Sequence, residues 1–144
     1  MLGILSAIIA GAAMSVQGVL NTRLSEKTGL YESNVIVQGT AFLLSLIALY
    51  FLGKGNIKEI TNINKFYLTG GAFGLLITIS VMLAIGKLSP SVATSIILVA
   101  QLTVSALIDV FGLMGSEKIP LHWNNYTGFL LMIAGVLIFK LKIT

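Results

Sequence analysis

Five apolar stretches, each about long enough to cross a bilayer, occupy most of this 144-residue chain. They cover approximately residues 1–22, 33–52, 66–86, 90–113 and 123–140. Backbone groups in lipid must find their hydrogen bonds within the protein, so each stretch is expected to form a helix and not part of an open sheet. The sequence therefore predicts an all-α integral membrane protein, a single membrane domain of five transmembrane helices.

Composition excludes several classes of function. Hydrophobic residues make up 56% of the chain and charged residues only 10%, whereas soluble domains carry about 25% charged residues. The basic residues are scattered between the apolar stretches, which is typical of membrane-flanking anchors and not of a nucleic-acid surface. The chain has no cysteine and no nucleotide-binding, metal-ligand or nucleophile–base motif. We therefore predict neither an enzyme nor a bound cofactor or metal.

The basic residues are almost evenly divided between the two sides of the membrane. With five spans, four fall on the N-terminal side and five on the other: Lys54, Lys58, Lys65 and Lys118 against Arg23, Lys27, Lys87, Lys140 and Lys142. The positive-inside rule needs an excess on one side to fix the orientation. Either the chain inserts both ways and pairs as an antiparallel homodimer of ten helices, or the first helix or the lipid decides the orientation.

Two stripes of polar residues lie inside the spans, where such groups are costly. In the first span Ser6, Ala10, Gln17 and Asn21 share a narrow arc of a helix, and in the fourth Thr94, Gln101, Ser105 and Asp109 do so. Another amide, Gln38, lies in the second span. These side chains either line a substrate cavity or hydrogen-bond between helices as packing contacts. The candidate substrate-binding residues are Gln17, Asn21, Gln38, Gln101 and Ser105.

Asp109 is the only carboxylate within an apolar span, and it lies near the end of the fourth one. A carboxylate inside a membrane helix is a candidate for proton coupling or cation binding. The alternative is an interfacial carboxylate, wet or paired with a basic residue such as Arg23 or Lys87. Asp109 is therefore a coupling candidate.

Small residues suggest where helices approach one another closely. The candidates for helix packing are Gly11 and Gly18, Gly70 and Gly74, and Gly128 and Gly135. Ser89 and Pro90 are expected to cap and begin the fourth helix. The polar segment between the second and third spans, residues 54–65, is predicted to be a loop with no apolar pattern of its own.

Four segments together resemble a known family. Residues 17–24, QGVLNTRL, resemble the Q-x-x-x-N-x-x-L signature of YdcZ-type proteins in the drug/metabolite transporter superfamily, and residues 100–112, AQLTVSALIDVFG, resemble its fourth-helix signature with Ala100 in place of the usual glycine. Residues 70–74 and 83–90 are similar to the start of its third helix and to the turn that follows.

The resemblance implies a five-helix half-transporter that dimerises and has no assigned substrate. We expect a secondary transporter or exporter of a small metabolite or organic cation in the bacterial plasma membrane, working by alternating access. Its partners would be a second, inverted copy, a small-molecule substrate and membrane lipid, with no nucleic acid. A dual-topology channel and a non-transporting membrane assembly protein are the alternatives.

Overall fold

The computed structural model describes residues 1–140, and in that range the regular secondary structure is entirely helical. The α-helices are α1 (Leu2–Thr28), α2 (Leu30–Leu52), α3 (Gly70–Lys87), α4 (Pro90–Phe111) and α5 (Trp123–Lys140). Short 3₁₀-helices cover Ile57–Thr61, Lys65–Thr69 and Leu113–Gly115. The chain forms two compact units, Met1–Lys87 and a second that begins at Leu88.

Four helical segments are long and apolar enough to cross a membrane: Leu2–Thr28, Leu30–Leu52, Lys65–Lys87 and Pro90–Phe111. The apolar helix Trp123–Phe139 is shorter. The 18 residues of α5 measure roughly 27 Å at 1.5 Å per residue, slightly less than the hydrocarbon core of about 30 Å. The prediction of an all-helical membrane protein is confirmed, with four spans supported by length and a fifth, shorter apolar helix.

The first unit is a hairpin of α1 and α2 against which α3 packs. The hairpin turns at Gly29, whose φ of +101° lies in a region that favours glycine. The Gly29 N–H donates to the Ser25 carbonyl at 3.0 Å, and the Ser33 N–H donates to the Gly29 carbonyl at 3.1 Å. This single residue turns the chain. As a result, α1 continues past the first apolar stretch to Thr28, and α2 starts at Leu30, before the second apolar stretch begins.

Burial in the first unit is concentrated beside this turn. Its buried residues are Gly18, Asn21, Thr22, Ser33, Asn34, Met82 and Ile85. By contrast, residues 1–17 of α1 and 39–52 of α2 are all exposed. The three helices therefore pack tightly at one end, and the apolar surface at the other end is left uncovered within this unit.

The second unit consists of α4 and α5, which contact each other. Ser89 caps α4 by accepting a hydrogen bond from the Val92 N–H at 3.4 Å, with Pro90 in the first turn, as the sequence predicts. Gly112 ends the helix with a φ of +61°. That left-handed conformation is the common helix terminator, and glycine adopts it without strain.

The prediction of a patternless loop between the second and third spans is wrong. Residues 57–61 and 65–69 form 3₁₀-helices, and apolar residues recur at every third position from Ile57 to Phe66. A 3₁₀-helix has three residues per turn, so Ile57 and Ile60 share one side of the first of these helices. The periods of 3.6 and 2 residues used to recognise α-helices and strands do not detect it.

Candidate functional site

Polar side chains, and not apolar ones, form most of the buried centre of the first unit. We name Asn21, Thr22, Ser33, Asn34 and Met82 the junction cluster. Asn21 is 9% exposed, Ser33 is fully buried and Met82 is 2% exposed. The turn at Gly29 brings the last part of α1 back against the first part of α2, and the end of α3 covers both. Buried polar groups within membrane helices commonly mark functional positions.

Hydrogen bonds satisfy most of the junction cluster. The Thr22 hydroxyl donates to the Gly18 carbonyl at 2.7 Å. The Ser33 hydroxyl lies 3.0 Å from the Leu30 carbonyl and 3.3 Å from the sulfur of Met82, so it links α2 to α3. Of these contacts, only the one between Ser33 and Met82 joins the hairpin to α3. The hydroxyl oxygens of Thr22 and Ser33 retain the capacity to accept a hydrogen bond.

Asn34 has a fully buried oxygen without a hydrogen-bond donor among residues 1–139. It is 4% exposed, and its Oδ1 accepts no hydrogen bond from any residue in the described part of the chain. A buried acceptor without a donor is unfavourable by about 1–3 kcal/mol. Asn34 therefore presents an amide oxygen suited to a donor supplied from outside the fold, such as a water molecule or a ligand.

The polar face of α2 continues one helical turn further, at Gln38. The Gln38 amide nitrogen lies 3.5 Å from the Thr78 hydroxyl of α3, at the limit of hydrogen bonding, and Thr78 donates to the Gly74 carbonyl at 2.8 Å. A Cβ atom at Gly74 would lie 3.7 Å from the Gln38 nitrogen. Asn34 and Gln38 thus lie four residues apart on one face of α2, beside α3.

Gly18 sets the approach of α1 to α3. A Cβ atom at this position would lie 2.8 Å from Cδ1 of Ile85 and 3.1 Å from Cγ1 of Val81. A larger residue would require the side chains of Ile85 and Val81 to move, or α1 and α3 to separate. At four other packing candidates a Cβ atom would have no neighbour within 4 Å among the described residues: Gly11, Gly70, Gly128 and Gly135. Their packing role stays a prediction.

A groove of about 300 Å³ lies between α4 and α5 in the second unit. Its polar lining residues are Ser105, Asp109 and Asn125, and its apolar lining includes Phe129 and Met132. Asp109 is half-buried, and its backbone carbonyl accepts a hydrogen bond from the Ile119 N–H at 2.9 Å. Two predicted site residues, Ser105 and Asp109, therefore lie in one groove with an amide that the sequence did not single out.

The other predicted site residues differ in their surroundings. Asn21 is buried and Gln38 half-buried, while Gln17 and Gln101 are exposed. Arg23, one of the cations considered as a partner for Asp109, forms an ion pair with Glu26 at 3.0 Å. Within residues 88–139 the structure contains no ion pair to Asp109. The proposed sharing of one cavity by Gln17, Asn21 and Gln101 stays a prediction.

Sequence reasoning missed the site residues Ser33, Asn34, Thr78 and Asn125. The pair Ser33–Asn34 follows the turn glycine and begins the second apolar stretch, so it resembled a helix boundary and not an interior position. Thr78 lies four residues after Gly74 and four before Met82, a spacing that places all three on one face of α3. Asn125 lies in the first turn of α5, where polar residues are ordinary.

Comparison with known proteins identifies a family for almost the whole chain. The model of the family described as "Putative inner membrane exporter, YdcZ" matches residues 2–138. Comparison with curated proteins gives no match, and neither does comparison with solved structures. The family match covers both helical units and every candidate site residue.

Proposed function

The chain belongs to the YdcZ family of membrane exporters, and on that premise we propose that it exports a small metabolite or organic cation as an antiparallel homodimer. It is a multi-pass membrane protein of a transporter family and not of an enzyme family. Two inverted copies would give a ten-helix bundle in the bacterial plasma membrane, and alternating access would open a site between the helices to one side of the membrane and then to the other.

The observation that carries this proposal is the exposure of the membrane helices. At most 11% of the most apolar part of each candidate span is buried. Gln17, Gln101 and Ser105 are exposed within those spans, and polar side chains that face lipid are unfavourable. A second copy would cover these residues and convert them from lipid-facing groups to the lining of a shared cavity.

An inverted arrangement of the two copies agrees with the charge distribution. Four basic residues on one side and five on the other give the chain almost no preferred orientation. Inversion also supplies the repeat that many transporters contain within one chain, since two inverted halves surround a binding site at the membrane centre. The single chain supplies one half.

The groove between α4 and α5 favours an organic cation among the possible substrates. It combines the carboxylate of Asp109 with the hydroxyl of Ser105 and the amide of Asn125. Phe129 and Met132 add an aromatic and a polarisable apolar wall, and an aromatic face attracts ammonium groups. Few polar groups on an otherwise apolar lining are typical of small-molecule sites. Asp109 would bind the cationic group, or a coupling proton in its place.

Transport by the purified protein in liposomes tests the proposal. The measurement is uptake of radiolabelled organic ammonium ions and of neutral metabolites, with and without a proton gradient. We expect saturable, gradient-dependent uptake of at least one cation and exchange of that cation across the membrane without a gradient. Fast ion flux that rises linearly with concentration would instead indicate a channel. No flux of any solute, with a stable complex to another membrane protein, would indicate an assembly role.

A further inference from the structure

The segment between α2 and α3 carries an ordered apolar stripe that the proposed transport function does not use. We name Ile57, Ile60, Ile63 and Phe66 the interface stripe. They are spaced by three residues. Ile57 and Ile60 lie one turn apart on one side of the first 3₁₀-helix, Ile63 lies in the bend between the two 3₁₀-helices, and Phe66 lies in the second. Each is between 41% and 65% exposed. Four large, exposed apolar side chains within ten residues of a polar segment indicate an interaction site.

Side-chain caps fix the backbone that presents this stripe. The Asn56 Oδ1 accepts a hydrogen bond from the Lys58 N–H at 3.1 Å. The Asn64 Oδ1 accepts one from the Phe66 N–H at 3.0 Å. Each asparagine caps one of the two 3₁₀-helices, in the way that such side chains cap helix starts generally. The stripe is therefore a built surface with defined local geometry.

The same segment carries a net positive charge. Its cations are Lys54, Lys58 and Lys65, against one carboxylate, Glu59. Glu59 accepts hydrogen bonds from the side-chain amides of Asn56 at 3.4 Å and Asn62 at 3.0 Å. Within residues 1–139 none of these lysines forms an ion pair. Three ammonium groups are thus available to anionic partners.

We propose that residues 57–66 lie in the plane of the membrane surface and bind anionic phospholipid. The segment joins two membrane-spanning helices at Leu52 and Lys65, so it begins and ends at headgroup depth. The interface stripe would enter the upper acyl region, as apolar faces of interfacial helices do. The lysines would extend their apolar stems past the stripe and contact lipid phosphates.

Tryptophan fluorescence in proteoliposomes tests where the stripe lies. The only native tryptophan, Trp123, is removed by Trp123→Phe, and Ile60→Trp is added to that background. The matched control is Asn62→Trp, two positions away in the same segment, where the native side chain is polar and bonds the Glu59 carboxylate. With lipids brominated on the upper acyl chain, we expect strong quenching and blue-shifted emission for Ile60→Trp. For Asn62→Trp we expect weak lipid quenching and strong quenching by aqueous iodide.

The lipid composition of the vesicles tests the charge requirement. Quenching of the Ile60→Trp protein by brominated lipid is compared between pure phosphatidylcholine and mixtures rich in phosphatidylglycerol. We expect stronger quenching in the anionic vesicles, and loss of that increase when Lys58→Gln and Lys65→Gln are combined. Circular dichroism and size-exclusion chromatography confirm that each variant retains the helical fold.

Three results would overturn the proposal. Equal lipid quenching of the two tryptophan positions would show that the stripe has no preferred side. Quenching that is the same in neutral and anionic vesicles would remove the anionic lipid as partner. Protection of the Ile60→Trp protein from both brominated lipid and iodide would show that protein, such as a second copy, covers the stripe. None of these results depends on whether the protein transports a solute.

Discussion

Replacing Asn34 with leucine tests whether this residue of the junction cluster serves transport or the stability of the fold. Asn34 is 4% exposed, and its Oδ1 lacks a donor among the described residues. Leaving such an acceptor unsatisfied costs about 1–3 kcal/mol, and leucine has the same branched arrangement of side-chain heavy atoms, with a larger volume and no acceptor. We therefore expect Asn34→Leu to leave the free energy of unfolding unchanged or to raise it by up to about 1–3 kcal/mol. Transport should fall sharply, because the oxygen that the substrate or its water would use is gone.

The assay measures both quantities on one preparation. Thermal unfolding in detergent gives the change in stability, and uptake into liposomes gives the change in transport. Ser45→Ala is the matched control on α2, since Ser45 is exposed and its hydroxyl bonds only the Ala41 carbonyl at 2.8 Å. We expect the control to change neither quantity by much.

Two outcomes would refute the reasoning about Asn34. A loss of more than about 1 kcal/mol of stability in Asn34→Leu would mean that the oxygen has a stabilising partner in the folded protein. Full transport by the leucine variant would mean that the junction cluster serves only to pack α1, α2 and α3.

Three further substitutions, two of them with a matched control variant, test the packing of α1, the role of Gln101 and the role of Asp109. Gly18→Val should destabilise the first unit by about 1–3 kcal/mol through overpacking, as thermal unfolding measures, whereas Gly11→Val should leave the fold of a single copy intact because its Cβ would meet no neighbour within 4 Å among the described residues. Gln101→Leu should abolish liposome uptake while chemical crosslinking still detects the dimer; normal uptake would reduce Gln101 to a packing residue. Asp109→Asn should remove the pH dependence of uptake with the dimer preserved, whereas Glu117→Gln, in an exposed loop, should leave the pH–rate profile as it is.

Apolar runs and caps predicted the helices well because their causes are local. Lipid forces any long apolar run into a helix, and the Ser89–Pro90 pair specifies the start of α4 without help from distant residues. The length of α1 was not predictable in the same way. Its last turns, around Arg23 and Glu26, are polar, and they remain helical because Gly29 turns the chain directly into α2 and an ion pair joins the two side chains.

The candidate site was only partly predictable because burial depends on neighbours in space. Asn21 stood out from its spacing to Gln17 along one helix. Ser33 and Asn34 become interior residues only because the turn at Gly29 places them beneath the end of α3, which no pattern within α2 indicates. Asn125 becomes a candidate site residue only because it lines the same groove as Asp109.

The central claim, an exporter built from two inverted copies, is tested most directly by labelling one cysteine from each side of the membrane. The chain contains no cysteine, so Asn62→Cys introduces a unique thiol on the segment between α2 and α3. Leu44→Cys, in the middle of α2, is the control that should resist a charged maleimide from both sides. If the copies insert in opposite orientations, the reagent should label about half of the Asn62→Cys protein from outside intact cells and the rest only after the membrane is permeabilised. Labelling from one side alone would contradict the account.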